Sequence, residues 1–373
     1  MTSIRQSFIY SVEDTFGKGI GTGKAWLAPP PGSYFTSTHS RQASRIQSTG
    51  SKYFDAYAYG TLSGSWEWTF MLDYNYLEPL ELVFEDFTEN GLQQNGSYSY
   101  TFKKKNNGRI PSFTVRRVVL NDMANSQKNN IDEIVELKGC VCKSITFARS
   151  AGSSQMQVTM SGFYADERMF LGNWGRTDYK SYEGNLVEYS CLFIGTYTNE
   201  DNYVANTETL TISIDNSADA VFNVCAPFAK EYYEGVTTYS FSTTAYSNDP
   251  TRYKQRVYTG GKDRALMPLS KGLAPVSLMH ILSYNAEMDR FGDDPSMDSH
   301  AEAFGASTLS MDIEITKCVI RSLQWQNGDG SKLQDSISSA ECQLMTLTFV
   351  TEAGDLSFTE TNQHAVIDYV GSA

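Results

Sequence analysis

Cys140-Val141-Cys142-Lys143-Ser144-Ile145-Thr146-Phe147 returns later in the chain as Cys318-Val319-Ile320-Arg321-Ser322-Leu323-Gln324-Trp325. In extended backbone, side chains alternate between two faces. One face of the first copy therefore carries Val141, Lys143, Ile145 and Phe147, and the matching face of the second carries Val319, Arg321, Leu323 and Trp325. The two copies agree in size and polarity on both faces, including a basic residue on an otherwise apolar side. A second anchor lies upstream. Gly60 through Met71 aligns with Gly235 through Tyr246, at an offset that differs from the first by three residues. Matching order and spacing predict a duplicated β unit, with residues 1–184 as one domain and 185–373 as the other.

Working outward, 373 residues exceed the usual size of one core. Tyr (23) and Phe (20) are abundant and long helical patterns are missing, which favours pleated sheets with many turns. The formal net charge of −13 excludes a protein that grips nucleic acid along a basic stripe. A conduit for DNA is still compatible with acidic balance, because it must repel the polymer rather than hold it. The basic run Lys103-Lys104-Lys105 reads as a solvated hairpin tip. Six cysteines are too sparse for a disulfide scaffold and read as buried free thiols. Neither an apolar leader nor a membrane-length segment is visible, so synthesis and residence in the cytoplasm, or export inside a particle, is expected.

Strands are predicted at 7–12, Tyr53–Tyr59, Ser65–Leu72, 97–104, 111–120, 137–148 and Gln155–Met160, with a short helix at about 75–86. Residues 32–50, rich in Ser and Thr, read as a long loop, and Gly17–Lys24 as a mobile glycine-rich arm. In the second half, Thr209–Asp215 and Val221–Cys225 read as a hairpin, Asp249-Pro250 as the start of a helix over 250–258, and Ser277–Tyr284 as a strand. An acidic insertion at 286–307 has no counterpart. Strands at 312–325 and Gln343–Phe349 close the chain.

No catalytic, cofactor or metal constellation emerges. Gly23-Lys24 is followed by Ala25, and Lys18 stands where a phosphate loop needs its first glycine. His300-Ala301-Glu302 lacks the paired cysteines of a zinc deaminase, and Asp293-Asp294 lacks calcium-loop spacing. The chain is read as a non-enzyme without cofactor.

Arg45–Lys52, Pro111–Val115, Gly139–Phe147 and Leu210–Asn216 together resemble parts of the major tail tube proteins of long-tailed bacteriophages and similar archaeal viruses. The resemblance implies β-sandwich or small-barrel domains with one flanking helix each. Copies close into a ring with an inner β-barrel, and rings stack into a hollow virion tube that delivers DNA into the host. It also implies tape-measure, terminator and baseplate proteins as partners, transient non-specific passage of DNA, and no membrane. Two fused domains fill two of six positions, so a trimeric, pseudo-hexameric ring is expected; with one domain outside as decoration, the ring is a true hexamer. Ser65, Glu67, Thr69, Ser240, Ser242 and Thr244 are the candidate lumen-facing residues, with Trp66, Trp68, Phe70, Tyr239 and Phe241 facing the core. Lys143 and Arg321 either snorkel to the sheet edge or pair with a carboxylate across a subunit boundary. Snorkelling is favoured, because isolated buried pairs are costly. The alternatives are a tandem β-sandwich module binding carbohydrate or a cell surface, the inner tube of a contractile injection device, and a hydrolase with a dispersed carboxylate pair.

Overall fold

A computed structural model of the chain describes residues 6–46, 56–92, 97–104, 108–119, 132–172, 185–198, 203–246, 276–284, 309–327 and 333–366, apart from a few positions within them. The described residues are mainly β, with almost no helix and a large antiparallel sheet. The first nine strands are β1 (Gln6–Val12), β2 (Tyr34–Ile46), β3 (Ala56–Met71), β4 (Asp86–Leu92), β5 (Tyr98–Lys103), β6 (Phe113–Val119), β7 (Asp132–Ser150), β8 (Gln157–Tyr164) and β9 (Asp166–Gly172). The next nine are β10 (Tyr189–Ile194), β11 (Thr207–Asp215), β12 (Asp219–Phe222), β13 (Ala229–Tyr233), β14 (Thr238–Tyr246), β15 (Val276–Tyr284), β16 (Ser310–Asn327), β17 (Leu333–Cys342) and β18 (Leu344–Thr351). One helical turn, α1 (Glu78–Glu81), follows β3.

A run of eight strands lies side by side in the order β2-β3-β8-β7-β11-β14-β17-β16. One face of it is dry. Phe35, Trp68, Met160, Ile145, Ile214 and Tyr239 form one continuous buried ladder across neighbouring strands. Phe70, Val158, Phe147, Ile212, Phe241 and Ala340 form the next. Each large side chain removed from water contributes ~1.5–3 kcal/mol, so these ladders dominate the adhesion of the layer. They pack in one core with Tyr10, Phe113, Leu137, Leu80 and Phe349 from the opposing strands and α1.

The longest strands, β7 and β16, belong to both layers. The first part of β7 pairs with β6 and β9, and its second part with β8 and β11. The first part of β16 pairs with β15 and β18, and its second part with β17. Between the parts sits a left-handed residue, Gly139 (φ 64°) in β7 and Lys317 (φ 52°) in β16. A bulge follows each, between Cys142 and Ser144 and between Ile320 and Ser322. Bulges let a strand turn a corner from one sheet to the other.

The bulge corrects the strict alternation expected for the repeated stretch. Cys140 and Cys142 face the main core before it, and Ile145 and Phe147 face the same core after it. Lys143 and Arg321 are the extra residues and are exposed. Neither lies on an apolar face, so snorkelling is not required of them.

Four further expectations are corrected. Residues 34–46 form β2 rather than a loop: β3 supplies the backbone hydrogen bonds, and only Phe35 of its described side chains reaches the core. Tyr53–Tyr59 and Ser65–Leu72 are not separate strands, because β3 runs unbroken from Ala56 to Met71 through Gly60 and Gly64. Thr209–Asp215 does not fold back on Val221–Cys225. β11 lies between β7 and β14, while β12 pairs with β13, and Ser217 (φ 48°) turns the chain away from β11. The helix over 75–86 shrinks to α1, a single turn with Pro79 near its start and Leu77, Leu80, Leu82, Val83 and Phe84 all buried around it. Burial on every side plugs the core and leaves no exposed stripe to extend a helix. The expected helix at 250–258 and the 286–307 insertion lie outside the described residues.

Candidate functional site: a hydroxyl-lined face with two open edges

The face opposite the dry ladders is built from short polar side chains. Thr69, Thr159, Thr146, Ser213, Ser240 and Glu341 run in register across six strands. Glu67, Ser161, Ser144, Asp215 and Thr238 form the adjacent row. Cross-strand hydroxyl contacts join Ser144 to Ser161 (2.8 Å), Thr146 to Ser213 (2.9 Å) and Thr69 to Thr159 (3.4 Å). β-Branched Thr and small Ser satisfy the strand backbone while presenting hydroxyls rather than cations. Ser65, Glu67, Thr69, Ser240, Ser242 and Thr244 all lie on this face and are exposed or half-buried. Trp66, Trp68, Phe70, Tyr239 and Phe241 point the other way and are buried.

One end of the polar face is covered. Val141, Ala218 and Tyr232 form a small apolar cluster with Phe16 and Phe163. The β12–β13 hairpin is tied there by Tyr232, whose hydroxyl donates to the Ile110 carbonyl, and by Arg109, whose guanidinium lies 4.1 Å over the Tyr232 ring. Burial pushes the Tyr232 hydroxyl up to about 12, so it remains a donor at ordinary pH.

The run ends in two strands that are paired on one side only among the described residues. β2 pairs with β3 alone, and Val319–Asn327 of β16 pairs with β17 alone. The corresponding part of β7 is paired on both sides, because β11 lies against Ser144–Ser150. Unpaired edges present rows of N–H and C=O groups ready to bond another strand.

Arg321 donates to Glu341 of the adjacent β17 at 2.7 Å, a pair within the chain, exposed on both sides. Lys143 sits at the equivalent bulge, and its carbonyl accepts from the Asn216 N–H at 2.8 Å. Asn216 thereby satisfies a carbonyl at the bulge.

Three readings of local motifs change. The start of the glycine-rich stretch is tied to a buried carboxylate: Glu13 accepts from the N–H groups of Gly17 (2.8 Å) and Gly139 (2.9 Å) and from Ser112 (2.9 Å) and Thr114 (2.7 Å). Such a well-bonded hub is structural. Lys104 is not a freely solvated tip residue; it is half-buried, ion-paired with Glu85, and also donates to the Val83 carbonyl. Cys318 and Cys342 form a disulfide, whereas Cys140 and Cys142 are free and buried. Tyr164 of β8 faces Gly64 of β3, where Cys342 of β17 faces Tyr239 of β14, and Cys140 stays a free thiol.

Protein-family models and curated proteins yield no match to this chain. The face and its edges are thus the guide to function. Among the described residues, no group of three His, Cys, Asp or Glu side chains could hold a metal ion. His300, Glu302, Asp293 and Asp294 lie outside those residues. The open edges were not visible in the sequence. Pairing partners of a strand are set by tertiary arrangement, and β2 in particular lacks the apolar alternation that marks a strand.

Proposed function

We propose that this chain is a structural virion protein that polymerises into stacked rings, forming a hollow tail tube through which viral DNA passes. In this reading, residues 1–184 and 185–373 are tandem related units, and three copies supply six positions. The observation that carries it is the junction between β7 and β11.

Seven of the first nine strands are paired as seven of the last nine are; the β4–β5 and β12–β13 hairpins stand outside this correspondence. β1-β6-β7-β9 and β2-β3-β8-β7 are matched by β10-β15-β16-β18 and β11-β14-β17-β16. The registers correspond residue by residue: Trp68↔Met160 with Thr243↔Ile337, Ile134↔Phe170 with Asp312↔Thr348, and Cys142↔Gly162 with Ile320↔Ala340. β11 is thus the counterpart of β2, and β7 of β16. Within the chain, β7 of the first series meets β11 of the second. The same joint between chains brings β16 of one copy to β2 of the next. A head-to-tail joint of this kind either closes into a ring or runs on as a filament, and closure leaves neither of these two edges exposed.

The polar face suits the inside of such a ring. Hydroxyls with scattered carboxylates, in a chain of net charge −13, offer a passing polyanion no cationic foothold. The dry face meanwhile remains in the core.

Negative-stain microscopy with light scattering on the purified full chain tests this proposal. Rings with threefold mass and stacked tubes are the expected result. Folded, monodisperse monomers at all accessible concentrations would overturn it.

A further inference from the structure

A further open edge lies in the other layer. β9 pairs with β7 on one side and with no described strand on the other. Its counterpart β18 is paired on both sides, by β16 and by β5. The registers make the comparison specific. Val135↔Met169 in the first series corresponds to Ile313↔Leu347 in the second. Leu347 is fully buried with Phe102 of β5 directly across from it, whereas Met169 is 65% exposed. An apolar side chain stands uncovered where its twin is covered by a borrowed strand.

The loan has a direction. β5 belongs to the first series, yet it completes the edge of β18 in the second, across the junction where β7 meets β11. Within the chain the loan thus runs from the first series to the one that follows it. β9 belongs to the first series, and in a head-to-tail assembly the preceding series belongs to another copy. That copy is the one whose β16 meets β2 of this chain. The two edges adjoin, since His39 of β2 lies 3.4 Å from Glu167 of β9.

We propose that the outer edge of β9 is a docking strand for a second copy of this chain, which lends it a strand as β5 is lent to β18. The inference rests on the head-to-tail reading and adds a second joint between the same two copies. β-Strand addition supplies main-chain hydrogen bonds, and the Met169 position supplies an apolar anchor. Asp166, Glu167 and Arg168 occupy the start of the strand, with Arg168 donating to Asp166 at 3.3 Å.

The test is hydrogen exchange on the full chain, unassembled and assembled, with assembly scored independently by microscopy. Amides of residues 166–172 are expected to exchange about tenfold or more slowly in the assembled form. Met169→Lys is expected to raise the concentration needed for assembly about tenfold while leaving the thermal midpoint of the unassembled chain unchanged. Rings or tubes in which 166–172 exchanges as in the free chain overturn this inference and leave the β2–β16 joint standing. So does assembly of Met169→Lys at the wild-type concentration. Absence of any assembly overturns both joints.

Discussion

Replacing Gly139 by Ala probes the corner on which the two-layer arrangement depends. Gly139 has φ 64°, and an added Cβ would lie 2.8 Å from the Ala165 Cβ and 2.9 Å from Phe16 Cε2. A side chain in this left-handed conformation costs about 1–2 kcal/mol, and crowding against packed neighbours about 1–3 kcal/mol. Restricting the unfolded chain offsets about 0.4–1 kcal/mol of this. The net expectation is a loss of about 1.5–4 kcal/mol. Lys317, at φ 52°, occupies the same corner in the second series. Lys317→Gly relieves its strain and loses part of the gain to unfolded-state entropy, for a net stabilisation of about 0.5–1 kcal/mol. Urea unfolding, followed by tryptophan fluorescence at a concentration below assembly, measures both, since Trp66 and Trp68 are buried reporters. A loss below about 0.5 kcal/mol for Gly139→Ala, or destabilisation by Lys317→Gly, would refute the corner as described.

Other expectations follow from single contacts. Removing the Cys318–Cys342 bond by the double Ala variant opens a loop with a sequence separation of 24 and should cost about 3 kcal/mol in the same assay; an unchanged midpoint would show that the bond contributes nothing. Glu136 is held below its ordinary value of 4.5: burial alone would raise it, but the Arg116 guanidinium and Lys138 at 3.1 Å outweigh that. A depressed carboxylate contributes stability above its unfolded pKa, lost as pH falls through the folded one, so the advantage of wild type over Glu136→Gln should be full at pH 7 and shrink steadily below about 4.5. A pH-independent difference would contradict the ion-pair account. Burial raises Cys142 to about 12, so alkylation of this thiol at pH 8 should track global unfolding; modification of the folded chain would contradict that placement.

The mainly β fold was legible from the aromatic, Ser- and Thr-rich composition, and the polar and apolar faces of β3 and β14 followed from simple alternation. The corner was not. Gly139 hints at a left-handed residue, but Lys317 adopts that conformation without the glycine that would signal it. Lys143 and Arg321 looked like basic residues trapped on an apolar face because a bulge shifts alternation by one, and sequence periodicity does not register the shift. β2 passed for a loop because its adhesion comes from backbone pairing with β3, which Ser and Thr support without apolar patterning. The disulfide was missed because its cysteines approach only when β16 and β17 are in register. Open edges leave no mark in local sequence at all.

The most direct test of the account joins Thr38 of β2 to Gln324 of β16, the counterparts of Ser213 and Thr146, whose hydroxyls lie 2.9 Å apart at the internal junction. Thr38→Cys/Gln324→Cys, made in a Cys225→Ser background and oxidised under assembling conditions, should give covalent dimers and a closed trimer in denaturing gels, with neither single variant doing so. Assembled material in which the double variant yields no more cross-linked species than the single variants would contradict the β2–β16 joint.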